Sequence, residues 1–332
     1  MMLRFIVPCV CLVFAPLTGL AAQSVGGLAV APAASPVPAW VTLGTMGGPV
    51  PSQWRSQPAN ALVWPDEAWL IDCGDGAMGQ LAKIGIPPRA TTVVFLSHLH
   101  FDHTAGLAGA IGLRFQTNAP GKLAIYGPGG TKKLVNGIIR SMKPAAEAGY
   151  GLPGEARVNP ADTVTVRDLS DGESLIIGNV KIRTAQNSHY SFAAKSRMDR
   201  AYKSFSYRFD LPGRSIVYTG DTGPSPAVER LGKGADLLVS ELIDVEAVVA
   251  QVRKVAPNLS DEGLRTMKRH LSEHHLTPEQ VGDMAGRMEV KRVVVTHFAG
   301  AAGMSGKTGA YAAIIAALAK ADVEIANDLE RF

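Results

Sequence analysis

Short apolar, β-branched runs alternate along this chain with longer stretches of helical period. Runs at residues 40–43, 61–64, 68–71 and 92–96 follow one another closely and read as strands. A helical pattern follows at 105–115, then a strand at 123–126, and Gly127-Pro128-Gly129-Gly130 turns the chain into a helix near 131–142. Residues 143–162 are rich in Pro, Gly and Ala and read as irregular. Strands resume at 163–166, 180–184, 204–209, 215–218 and 237–240. Helices are expected at 245–255, 278–288 and 308–318, with a strand at 292–296 and a last one at 323–325. The helix from 278 has its own start signal, Thr277 as N-cap and Pro278 at the first helical position. Two halves, each of strands and then helices, predict an α/β fold in which two sheets pack face to face with helices outside.

The first residues carry a different pattern. Arg4 supplies a positive charge, Phe5 to Ala15 is an apolar run broken by Pro8, and Gly19-Leu20-Ala21-Ala22 offers small residues. That is the three-part layout of a secretory signal peptide over 1–22. The run is too short to span a bilayer, so no stable membrane anchor is expected after cleavage, and the mature protein is expected to be periplasmic or secreted. Residues 23–38 read as an Ala/Pro-rich linker or arm, and 39–332 as the folded domain. Of three cysteines, Cys9 and Cys11 leave with the signal. The mature chain keeps Cys73, at the end of a strand pattern, where it reads as a small buried hydrophobe. With 46% hydrophobic and 19% charged residues the chain is neither disordered nor a coiled coil. A net charge of +4 without any Lys/Arg run gives no argument for a nucleic-acid partner.

The chemistry concentrates in histidines and aspartates. Directly after the strand at 92–96 comes Ser97-His98-Leu99-His100-Phe101-Asp102-His103-Thr104. Three of the eight histidines fall within six residues, at a strand end where a loop can splay them. Neutral imidazoles with carboxylates to offset charge suit Zn²⁺ or a similar borderline ion. His189, Asp221 and His297 each follow a later apolar strand, the edge where α/β proteins place their sites.

His-x-His-x-Asp-His followed by a distant His, an Asp and a final His resembles the metallo-β-lactamase superfamily from about Trp40 to the C-terminus. The resemblance implies an αββα four-layer sandwich of two mixed β-sheets flanked by helices, with a dinuclear site on one edge. His98, His100 and His189 would take one metal, Asp102, His103 and His297 the other, and Asp221 would bridge them. Two Zn²⁺ per chain is the default, and Mn²⁺ or Fe²⁺ fit the same ligand types. Leu43-Gly44-Thr45, Leu70 to Gly76, Tyr126-Gly127-Pro128, Ser240-Glu241 and His275-Leu276-Thr277 are similar to the tRNase Z-like branch, which also holds phosphodiesterases and arylsulfatases. That likeness implies that His275 contacts a substrate oxygen and that Glu241 orients His275; in a two-metal mechanism Asp102, as ligand and hydrogen-bond acceptor, would orient the nucleophile. Independently, a histidine just before a helix N-terminus is well placed to meet an anion. His270 and His274, four apart and without a third ligand, read as ordinary helix residues.

The implied function is an exported dinuclear-metal hydrolase that uses a metal-bridging hydroxide on a phosphodiester or a sulfate or aryl ester. The alternative is a lactonase or a β-lactamase-type enzyme that opens a cyclic ester or amide. The branch's basic tRNA-gripping arm has no counterpart in 143–162, where Lys143 and Arg157 are the basic residues. The Ser-Arg-Tyr that often follows the last metal histidine is replaced by Phe298-Ala299-Gly300. A small-molecule substrate is therefore expected, with no nucleic-acid partner, and a homodimer fits the habit of the superfamily.

Overall fold

Most strands carry apolar side chains on both faces, which demands cover on both sides of each sheet. A computed structural model of the protein describes residues 37–300 and 308–332. The expected signal peptide and most of the expected linker lie outside the described residues. In chain order the strands are β1 (Ala39–Gly44), β2 (Ala59–Val63), β3 (Ala68–Cys73), β4 (Thr91–Phe95), β5 (Leu123–Gly127), β6 (Val164–Asp168), β7 (Ser174–Ile177), β8 (Val180–Gln186), β9 (Phe205–Leu211), β10 (Arg214–Tyr218), β11 (Leu237–Ile243), β12 (Arg292–Ala299), β13 (Asp322–Ile325) and β14 (Glu330–Arg331). The helices are α1 (Ala77–Lys83), α2 (Phe101–Thr104), α3 (Leu107–Gln116), α4 (Thr131–Ser141), α5 (Lys143–Ala148), α6 (Arg197–Ala201), α7 (Pro226–Gly232), α8 (Val245–Val255), α9 (Asp261–His274), α10 (Pro278–Met288) and α11 (Thr308–Ala319).

Two sheets of seven strands result, ordered β14-β1-β2-β3-β4-β5-β6 and β13-β12-β11-β10-β9-β8-β7. Each is mixed. The pairs from β3 to β6 are parallel and those from β14 to β3 antiparallel. Likewise β10 to β13 run parallel and β7 to β10 antiparallel.

The period-two alternation of the strands sorts their side chains into layers. Trp69 and Ile71 of β3 and Val93 and Phe95 of β4 point between the sheets, where they meet Tyr207, Phe209, Ile216 and Val294 of the other sheet. Phe95 sits edge-on to Phe209 at 5.4 Å, a favoured aromatic geometry. Leu70 and Val94 point outward onto Leu81, Leu107 and Val135 of α1, α3 and α4. Across the molecule Val293 and Val295 face Val228, Val281, Met284 and Ile315 of α7, α10 and α11. The expected four-layer αββα sandwich is the observed architecture.

Several elements differ from the sequence expectation. Residues 143–162 are not wholly irregular, because α5 starts there on a proline in its first turn and a short 3-10 turn spans Pro160–Thr163. α9 was not among the helices expected from the pattern, although His270 and His274 at its end stand at helical spacing. It has a Ser260 N-cap, acidic residues in its first turn and a narrow apolar stripe, Leu264, Met267 and Leu271, that packs against Val245 and Val249 of α8, although Leu264 alone is fully buried. α10 carries the expected cap and adds a full capping box with Gln280.

Cys73 is buried, and burial together with the Asp72 carboxylate pushes its thiol up to about 12. In protein starting after Ala22, Cys73 should resist a maleimide in native buffer and label fully in denaturant. Equal labelling in both states would contradict its place beneath the sheet.

Candidate metal centre

The ends of β4, β8, β10 and β12 bring the expected site residues to one edge. His98 and His100 follow β4, and α2 carries Asp102 and His103. His189 follows β8, Asp221 follows β10, Glu241 lies in β11, and His297 lies in β12. His275 joins α9 to α10. The histidine-rich turn is seated by a close backbone approach. Gly106 N–H donates to the Cys73 carbonyl at 2.9 Å, and a Cβ at Gly106 would meet the Gly74 carbonyl oxygen at 2.1 Å. Only glycine allows that contact. Asp72 and His297 adopt left-handed φ of 58° and 41°, conformations disfavoured for side-chain-bearing residues and concentrated at functional sites.

Asp221 stands at the centre. Its Oδ1 is 3.3 Å from His103 Nε2 and 3.2 Å from His297 Nε2. Its Oδ2 is 3.9 Å from both His98 Nε2 and His189 Nε2. One carboxylate thus faces two histidine sets with its two oxygens, as a bridge would. Asp102 Oδ2 lies 3.6 Å from His103 Nε2 and 3.8 Å from His297 Nε2. His98, His100 and His189 converge closely enough to hold a metal ion, as do Asp102, His103 and His297. Glu241 and His275 reach the same cluster through Asp221, His297 and His189.

The proton pattern tests whether metal fits. His103 Nδ1 lies 2.8 Å from the Asp72 carboxylate, so it carries the proton and leaves Nε2 as a lone pair. Ser97 Oγ donates to Asp72 at 2.7 Å and accepts from His98 Nδ1 at 3.0 Å, which leaves His98 Nε2 bare as well. His189 Nδ1 donates to the His274 carbonyl at 3.1 Å, so its Nε2 lone pair points at His100 Nδ1, 3.1 Å away. His98 Nε2, His103 Nε2 and Asp221 Oδ1 are buried without a hydrogen-bond partner. Lone pairs and carboxylates aimed at one another repel unless a positive charge lies between them. The donor set, nitrogen with carboxylate oxygen, fits divalent zinc-like ions.

Ionisation follows the same logic. Burial holds His98 and His189 well below the usual imidazole range, so both rings favour the neutral form a metal ion would need. Burial acts likewise on His103, but Asp221 and Asp72 outweigh it and lift that ring well above the ordinary value, so these carboxylates call for a positive charge at Nε2, a second proton or a metal ion in its place. Burial disfavours charge on Asp221 too, yet His297, His103 and His98 hold it well below the carboxylate range. Glu241 Oε2 accepts from His275 Nδ1 at 2.7 Å. That carboxylate overcomes burial and lifts His275 to about 9.

The organiser of the site carried no role in the sequence reading. Asp72 is fully buried and accepts from Ser97 N–H, Ser97 Oγ, His103 Nδ1 and the Tyr218 hydroxyl, all within 2.7 to 2.8 Å. A carboxylate ending the apolar run Ala68–Cys73 was its signal. His274 is also more than a helix-surface residue. Its ring Nδ1 donates to the Ser188 carbonyl at 2.8 Å, while its own carbonyl accepts from His189 Nδ1 at 3.1 Å. His270 lies with its ring 5.9 Å from that of His189 and 5.8 Å from that of His275. Tyr190 packs edge-on against His98 and His100.

A sequence profile of the β-lactamase superfamily domain matches residues 68–298, which span every residue of this cluster. The chain belongs to the metallo-β-lactamase superfamily. It is similar to Ribonuclease Z of Mycobacterium avium (strain 104), 29% identical over 296 residues that cover 88% of this chain and 96% of that protein. Among solved structures it is similar to the metallo-β-lactamase fold protein YhfI from Bacillus subtilis, at a TM-score of 0.64 and 17% identity over 90% of this chain and 99% of the other. A diphosphatase of the PhnP family aligns at a TM-score of 0.58 and 15% identity, covering 89% and 96%. Superfamily membership and a histidine–carboxylate cluster able to hold metal make the protein a metal-dependent hydrolase.

Because Asp72 sets the tautomer of His103 and steadies Ser97 and Tyr218, Asp72→Asn should weaken metal affinity about 10- to 100-fold, the usual loss when a partner behind a metal ligand is removed. Competition against a chromogenic chelator measures this. Unchanged affinity would show that Asp72 does not orient the ligands.

Proposed function

We propose that the protein is an exported hydrolase of small phosphodiesters that works with two divalent metal ions, by default Zn²⁺. The observation that carries this reading is the buried His275–Glu241 pair, 2.7 Å apart, beside the seven-residue cluster. The likeness to a Ribonuclease Z and to a diphosphatase supports it. The pattern of Arg4, an apolar run and Ala21-Ala22 supports export. Residues 143–162, with two basic side chains, support a small substrate over a large RNA.

His98, His100 and His189 would hold one ion, Asp102, His103 and His297 the other, with Asp221 between. When bound, two such ions supply Lewis acidity at the phosphoryl group and acidify a water to make a nucleophile at neutral pH. The chain's own residues do the rest. Asp221 fixes the spacing of the two histidine sets. Asp102 orients the attacking water. Glu241 holds His275 by Nδ1, so that Nε2–H can donate to a phosphoryl oxygen or to the leaving group. An anionic phosphoryl oxygen makes fuller use of that donor than an uncharged lactone or lactam carbonyl does.

Hydrolysis of bis(4-nitrophenyl) phosphate should therefore be abolished by a chelator and restored by Zn²⁺ or Mn²⁺. His275→Ala should lower kcat about 100- to 1,000-fold, the usual cost of a lost transition-state donor, with metal content intact. Turnover of a lactone or cephalosporin but of no phosphodiester, or an unchanged kcat in His275→Ala, would overturn the reading.

A further inference from the structure

Beside the histidine turn lies a second polar feature that the chemistry above does not use. α4 and α6 flank a cavity of about 590 Å³ lined by Lys132, Lys133, Arg140 and Arg197, with Tyr202 on one wall. All four cationic side chains are exposed, and none forms an ion pair among the described residues. The one carboxylate there, Asp168, is engaged by backbone, accepting from Gly130 N–H at 3.3 Å and from Lys132 N–H at 2.8 Å. Lys132 and Arg140 lie two steps of four apart on α4, on one face, and about 12 Å apart along the axis at 1.5 Å per residue.

The groove adjoins the turn that carries the first histidines. Leu99, between His98 and His100, lines an adjoining cavity of about 450 Å³ together with Gly130, Lys133 and Tyr202. Gly130 has a φ of 98°, and a Cβ there would meet Leu99 Cδ1 at 2.8 Å and the Tyr202 ring at 2.9 Å. The cationic groove and the turn that carries the first histidines therefore share a wall.

We propose that this groove is a second anion subsite, which holds further phosphates carried by the substrate while the scissile phosphoryl group sits at the histidine cluster. The inference rests on the phosphodiester reading and narrows it to substrates with a run of phosphates. Four unpaired cations against one occupied carboxylate raise the local concentration of a polyanion and favour it over a lone diester. The run can come from a phosphoanhydride tail or from a diester backbone, and both present spaced anions.

The test uses K132E/R140E and the milder K132A/R140A, metal-loaded, beside the wild type. Fluorescence anisotropy reads the binding of two labelled probes, an adenosine 5′-tetraphosphate and a thymidine hexamer, at two salt concentrations. Tenfold or greater loss of affinity for at least one probe in K132E/R140E, a smaller loss in K132A/R140A, a flatter salt dependence and kcat/KM for bis(4-nitrophenyl) phosphate within twofold of wild type are expected. The probe that weakens identifies the source of the phosphates. Equal binding of both probes by wild type and variants, or no binding of either by the wild type, overturns the subsite. Loss of probe binding without any wild-type diester turnover would leave the subsite standing and overturn the phosphodiester reading alone.

Discussion

Buried lone pairs that face one another need a positive charge between them, and this constraint organises the whole edge of the molecule. Three imidazoles present bare nitrogens because their other nitrogens are committed, His103 to Asp72, His98 to Ser97 and His189 to the His274 carbonyl. Asp221 and Asp102 add oxygens to the same space. A carboxylate network left in this state would cost several kcal/mol relative to a solvated one. The same arrangement with cations in place is stabilised, because each fixed donor is then a ligand held in advance.

The sandwich supplies that fixity. Strands buried on both faces have little freedom to shift, since a slip of one residue would turn every apolar side chain to the wrong layer. β4, β8, β10 and β12 end at one edge, and the site residues sit in the last residues of these strands or just beyond them. Asp72, at the end of β3, ties this edge together. It reaches Ser97 and His103 after β4 in its own sheet and Tyr218 at the end of β10 in the other. A single buried carboxylate thus couples the packing of two sheets to the orientation of Ser97 and His103, and the left-handed backbone at Asp72 is maintained by the surrounding core.

Much of this was legible from local pattern. His98, His100, Asp102 and His103 announce themselves by density after an apolar strand, and His189, Asp221 and His297 repeat the rule of strand and then ligand. Most strands were legible because apolar runs on both faces have few other uses, whereas the short edge strands β7 and β14 were not. What stayed hidden depended on contacts between distant positions. Asp72 bonds to a residue 146 positions away, and no local pattern marks that. α9 was inconspicuous because its apolar stripe is only three residues wide, Leu264, Met267 and Leu271, among polar neighbours. The groove between α4 and α6 was invisible because its cations are scattered in sequence and meet only when the Gly129-Gly130 turn packs beside Ala201 and Tyr202.

The most direct measurement is anomalous diffraction at the zinc edge from crystals grown with Zn²⁺. Two peaks are expected, one at coordination distance, about 2.0 to 2.2 Å, from His98, His100 and His189 and the other from Asp102, His103 and His297, with Asp221 touching both. No peak at the strand edge, or peaks confined to surface residues elsewhere, would contradict the claim that these seven side chains exist to hold metal.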